Sequence, residues 1–309
     1  MDIMIIINQM IILFALIMMG YVAGKLKILT RDGGKVVSKL IINVTYPCLI
    51  LHAVMNSDIG MSGTNIIVYL LMVILVYIIG LAIGIPVSRL LCLGSAKHKA
   101  DQNLYCYMCV FANVAYMGLP VCFAIFGPES VFYVALFSIV FNLLNFSLGI
   151  YLVSGKSSNF KVMNLINPSL IAAFLSVPIA IFGFRAPDII MEITRLAGNM
   201  TVPGVMLVIG SALSILPVKN VVIQWRIYPV ALVRLFIAPV ITWLILSQFI
   251  TSGVVLGVLV ILSGMPVAMA ATMLAFEYGG NERIASSGTF ITTVLSVVTI
   301  PLLVYLLLT

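Results

Sequence analysis

The residues best placed to do chemistry in this chain carry no charge. Asn43-Val-Thr45-Tyr-Pro47 returns as Asn199-Met-Thr201-Val-Pro203, and Gly118-Leu119-Pro120-Val121 returns as Gly264-Met265-Pro266-Val267. Each motif lies inside a long uncharged run. Proline removes a backbone donor and clashes with the carbonyl one turn back, so it kinks or breaks a helix. In an apolar medium the freed amides and carbonyls survive only where protein or a wet cavity satisfies them. The chemistry open to such a place is non-covalent binding. The start of a half-helix presents free N–H groups backed by the helix dipole, which suits an anion. Asn113 adds an amide that donates to a carboxylate without burying a second charge, or makes an interhelical hydrogen bond. Ser263 meets a ligand or a freed carbonyl. Asn43, Thr45, Asn199 and Thr201 line the far wall of a pocket or satisfy the backbone broken at Pro47 and Pro203.

Membrane helices must position these residues. The chain is 63% hydrophobic and 8% charged, with mean hydropathy +1.25, whereas a soluble domain is about half apolar and about a quarter charged. About 20 apolar residues cross a bilayer as a helix. Uncharged runs cover 3–24, 40–57, 59–88, 102–128, 130–155, 162–184, 196–218, 235–276 and 284–309, and 235–276 is long enough for two helices with a turn at 248–253. The reading is an all-α polytopic membrane protein of ten helices. The first run follows Asp2 rather than a basic leader and exceeds a signal-peptide core, so it reads as helix 1.

The net charge of +7 is a topology signal rather than a nucleic-acid patch. Lys25, Lys27, Arg31, Lys35, Lys39, Arg89, Lys97, Lys99, Lys156, Lys161, Lys219, Arg226 and Arg283 all fall on one side of the ten-helix weave, and only Arg185 and Arg195 on the other. The positive-inside rule makes the basic side cytoplasmic and puts both termini outside a plasma membrane.

The first motif sits on helices 2 and 7 and the second on helices 4 and 9. Copies five helices apart cross in opposite directions, so the chain reads as two inverted repeats, 1–155 and 162–309. Helices 4 and 9 are expected to break and cross at Pro120 and Pro266. Matched breaks in two inverted halves are the sequence mark of a transporter's binding site.

Other chemistry is poorly supplied. No His-Glu-x-x-His occurs and no carboxylate pair lies within a span; Asp58, Asp101, Glu129 and Glu277 are terminal to theirs. Enzyme chemistry and a mid-membrane proton relay therefore have no visible residues. Cys106-x-x-Cys109 has no second pair or histidine beside it, and His52 and His98 are isolated. No cofactor is expected. Coupling to H+ or Na+ stays open, since carbonyls at a break can hold sodium. Arg234 is the basic residue deepest in a span and either snorkels, pairs structurally or contacts substrate. Asn142 and Asn145, three apart, share a helix face and read as packing.

Asn113-Val-Ala-Tyr-Met-Gly118-Leu-Pro120, Gly264-Met-Pro266-Val-Ala-Met-Ala, Glu277-Tyr-Gly-Gly-Asn-Glu282 and Thr299-Ile-Pro301 make the chain resemble the auxin efflux carrier family, over essentially its whole length. That family includes bacterial permeases for malate, malonate and similar acids. The resemblance implies the fold of the sodium–bile acid symporters, with a scaffold from 1–57 and 162–218 and a mobile transport domain from 59–155 and 226–309. It also implies a homodimer, and substrate beside the crossing of helices 4 and 9. The function it implies is alternating-access transport of a small carboxylate; a solute sensor of the same fold and a channel are the alternatives. Ala115 stands where the family commonly has glycine, and the long cytoplasmic insert of plant carriers is absent.

Overall fold

The computed structural model describes residues 3–56, 63–93, 100–154, 168–215, 224–278 and 280–308. The interrepeat linker, Asp58, Lys97, His98, Lys99, Lys156, Lys161 and Lys219, and the side chain of Glu277, lie outside what is described. Among the described residues the regular structure is helical, with one isolated β-bridge. The helical segments are α1 (Ile3–Lys25), α2 (Asp32–Asn56), α3 (Asn65–Cys92), α4 (Gln102–Val110), α5 (Val114–Phe126), α6 (Glu129–Val153), α7 (Pro168–Phe182), α8 (Asp188–Ser214), α9 (Ile227–Leu246), α10 (Gly253–Ser263), α11 (Ala270–Tyr278) and α12 (Glu282–Leu308). Six of them, α2, α3, α6, α8, α9 and α12, are long and apolar enough to cross a membrane.

Helix α2 starts earlier than charge alone suggests. Thr30 accepts the Gly33 N–H and caps the helix, so Lys35 and Lys39 ride its first turns rather than a loop. The expected turn between α9 and α10 is present, and Ser252 caps α10 by accepting from Val255 N.

Proline is handled in two ways. Widened π-turns occupy Ile41–Thr45, Val114–Gly118 and Val233–Ile237, each ending two residues before a proline: Pro47, Pro120 and Pro239. A wider turn accommodates the ring and the missing donor, so the helix continues through the proline. A fourth π-turn, Asn145–Gly149, has no such proline. At Pro266 the backbone leaves the helix, and 264–269 is non-helical.

The chain divides into two compact units: Met1–Leu71 with Ala115–Val140 and Val162–Leu216, and Met72–Val114 with Phe141–Lys161 and Pro217–Thr309. In the first unit α1 packs along the second half of α8, and the second half of α2 packs against α7 and the first half of α8. The α1–α8 backbones approach so closely that a Cβ on Gly20 would strike Leu207 O, and one on Gly210 would strike Ile17 O. Small residues at crossings let membrane helices meet backbone to backbone. In the second unit α9 packs against α10 and α12, α4 against α9 and α12, and α11 against α12.

Candidate functional site: a backbone crossing closed by Arg234

In the second unit two interrupted helices meet through their backbones. After α4, residues 111–113 are non-helical, and after α10 so are 264–269. Asn113 N donates to Pro266 O over 2.8 Å and Ala268 N to Phe111 O over 3.0 Å, around an antiparallel bridge of Ala112 with Val267. The amide between these two bonds on the α10 side, Val267 N, donates to Thr292 Oγ1 of α12 at 3.0 Å. The Thr292 hydroxyl itself donates to Gly288 O at 2.7 Å. Buried backbone polar groups must be paired, and here three segments share the task.

The carbonyls released at the two helix ends turn to one side chain. Arg234, in the π-turn of α9, is 3% exposed. Its Nε donates to Met265 O at 2.9 Å, its Nη1 to Cys109 O at 3.2 Å and Val110 O at 3.1 Å, and its Nη2 to Leu262 O at 3.2 Å. Helices α4 and α10 both end here, each with about half a negative charge at its C-terminus. One guanidinium therefore neutralises two helix ends, which is what makes so deeply buried a cation tolerable. Arg234 does not snorkel; it pairs with the backbone.

Glycine is needed at one place in the crossing. A Cβ on Gly264 would lie 2.8 Å from Leu303 Cδ1 and 3.2 Å from the Pro239 ring. Ser263 is buried and donates to Val260 O at 2.7 Å, inside its own helix. Asn113 is 4% exposed, and since its backbone closes the crossing, its side-chain amide is not needed for that purpose. Nearby, Tyr107 OH donates to Asn145 Oδ1 at 2.7 Å, a packing contact in the buried core.

The break on the helix-4 side is not at Pro120. Gly118, Leu119 and Pro120 are helical residues of α5, and the extended residues precede that helix. Pro47 likewise lies within a continuous helix, and Pro203 opens the second half of α8 just after a turn at Met200.

The first motif pair comes together within the first unit. Thr201 Oγ1 donates to Thr45 Oγ1 at 3.0 Å, both buried, so the two copies meet threonine to threonine. Asn43 is exposed and donates to Lys39 O at 2.8 Å, and Asn199 is exposed at the end of the first half of α8. The same unit contains a cavity of about 400 Å³ lined by His52, Asn56, Arg185, Asp188, Glu192 and Arg195. Arg195 and Glu192 pair bidentately there at 2.6 and 2.7 Å. His52 is thus not isolated, as its sequence neighbours suggest, but part of a cavity whose charged members come from 185–195.

The family model described as "Membrane transport protein" matches residues 5–165 and 157–304. The chain belongs to this auxin efflux carrier-type membrane transport family. A protein from Methanocaldococcus jannaschii described as an uncharacterized transporter is 27% identical over 318 residues, covering 99% of this chain and 100% of that protein. A second uncharacterized transporter, from Methanothermobacter thermautotrophicus, is 26% identical over 293 residues, with 93% of each chain covered. The protein is a multi-pass membrane transporter of this family.

Proposed function

We propose that this family member is a secondary carrier for a small organic carboxylate. The observation that carries the reading is the hydrogen-bonded meeting of two interrupted helices at Asn113 and Pro266. Helix α4 has nine residues, which at about 1.5 Å each reach about 14 Å, near half of an about 30 Å hydrocarbon core. Irregular backbone at that depth belongs to a protein-lined or wet site. Helix α11 begins directly after the crossing, and its first amides bring partial positive charge to the place where Asn113 stands. Backbone amides and the Asn113 side chain suit a carboxylate there, with Arg234 fixing the frame rather than holding the ligand.

In this reading the segments make ten spans in two inverted repeats, with α4–α5 and α10–α11 as the two broken ones. The membrane is the plasma membrane, both termini face outward, and the protein is a homodimer. Transport proceeds by alternating access, the 59–155 and 226–309 half moving as the carrier against the 1–57 and 162–218 half as scaffold. The test is uptake into proteoliposomes of labelled malate, malonate, lactate and indole-3-acetate. Saturable uptake of one acid, inhibited by the unlabelled acid and not by its amide, supports the reading. Uptake equally inhibited by the amide, or no uptake of any acid by folded protein, removes the carboxylate.

A further inference from the structure

The carbonyls at the crossing have the make-up of a cation site. Leu262, Met265, Cys109 and Val110 present four backbone oxygens from two helix C-terminal ends to one guanidinium. Carriers built on broken helices hold their coupling sodium with this donor set, unwound carbonyls and half-helix C-termini. Here a side chain already fills the place. We propose that Arg234 is the built-in occupant of a cation site at the crossing, and that this protein accordingly needs no sodium or other alkali ion there.

Three observations support the assignment. The guanidinium spends its donors on carbonyls contributed by both interrupted segments, not on one helix. Among the described residues the ion pairs are Lys35 with Asp32 and Arg195 with Glu192, so the charge of Arg234 is offset by backbone dipoles, as a bound metal ion's would be. Finally, arginine stays protonated at any working pH, unlike a lysine or a carboxylate. The occupant is permanent, so the site neither loads nor unloads during a cycle. A carrier holding such a fixed cation has no reason to follow a sodium gradient.

The inference rests on the carrier reading only for its transport arm, so the first measurement is made without transport. Purified full-length protein is melted in sodium, potassium and choline chloride at equal ionic strength. The expected result is a common melting temperature in all three salts. A sodium-specific upward shift of several degrees would show a functional alkali site and overturn the proposal. The second measurement uses R234A. The variant melts well below wild type, and millimolar guanidinium chloride restores at least half of the lost melting temperature while choline chloride restores none. A variant that melts like wild type, or is not restored by guanidinium, sodium or potassium, also overturns it. Where R234A fails to accumulate, the wild-type salt comparison decides. In proteoliposomes, imposed sodium and choline gradients give the same initial rate within about twofold, whereas a tenfold sodium stimulation, about 1.4 kcal/mol of coupling, contradicts the proposal. A chain that carries no acid but melts identically in all three salts fails the carrier reading and keeps this one.

Discussion

Arg234 and Met265 are joined by a 2.9 Å hydrogen bond from the guanidinium Nε to the carbonyl just before Pro266. That bond ties a π-turn of α9 to the non-helical stretch that follows α10. The remaining bonds of the same side chain run to the ends of α4 and α10, so one residue determines whether both helix ends can terminate inside the protein.

Replacing Arg234 with methionine keeps most of the volume and removes the donors. Several carbonyls are then buried without partners, each costing about 1–3 kcal/mol. The expected loss is about 3–5 kcal/mol, seen as a sharply lower melting temperature or failure to accumulate in the membrane. Arg234→Lys, with fewer donors and no planar fork, falls between the two.

Thr292 has a narrower job. Thr292→Val removes the acceptor for Val267 N and leaves that amide buried, at a cost of about 1–3 kcal/mol. Thr292→Ser keeps the oxygen and stays close to wild type. Thermal melting of the two variants side by side separates loss of the hydroxyl from loss of the methyl.

Thr45 and Thr201 make a pair suited to a double-mutant cycle. Thr201 donates to Thr45, and both are buried. Valine at each position alone is destabilising, and valine at both costs less than the two single effects combined. A coupling of about 0.5–1.5 kcal/mol is expected from the stability differences. Simple additivity would mean that the threonines do not act on one another.

How much of this was legible in the residues varies with the interaction. Membrane character followed from composition because no other medium tolerates so apolar a chain. The family followed from motifs that survive in the linear order. The helix-4 break did not, because Phe111-Ala112-Asn113 contains neither glycine nor proline. Its extended form is held by backbone bonds to Pro266 and Ala268, which are distant in the chain. Pro120 drew attention instead, yet a π-turn before it absorbs the ring. Arg234 was visible as a charge in an apolar run, but its ligands are carbonyls, and carbonyls have no residue type to read. Thr292 went unnoticed for the same reason: its partner is a backbone amide.

Gly264 offers a steric test of the crossing. Gly264→Ala places a methyl group 2.8 Å from Leu303 Cδ1 and 3.2 Å from the Pro239 ring. Leu303 can shift and the proline ring cannot, so overpacking of about 1–3 kcal/mol is expected. Because the proline ring sets the cost, the same Gly264→Ala step made in a Leu303→Ala background stays destabilising, as the melting temperatures of the single and double variants will show.

Asn113 is the side chain most directly tied to the proposed ligand. Asn113→Ala leaves the backbone bonds of the crossing intact, so the melting temperature changes little while the apparent affinity for the carried acid falls about tenfold, the equivalent of one hydrogen bond to a charged group. Unchanged uptake kinetics in folded protein would remove Asn113 from the site.

Counterflow is the most direct test of the carrier itself. Proteoliposomes loaded with an unlabelled acid are diluted into a trace of the same labelled acid. The account predicts transient accumulation of label above its external concentration, saturable in the trapped acid, with Asn113→Ala needing about tenfold more trapped acid for the same effect. Label that only equilibrates, at a rate indifferent to the trapped acid, would describe a pore and contradict alternating access.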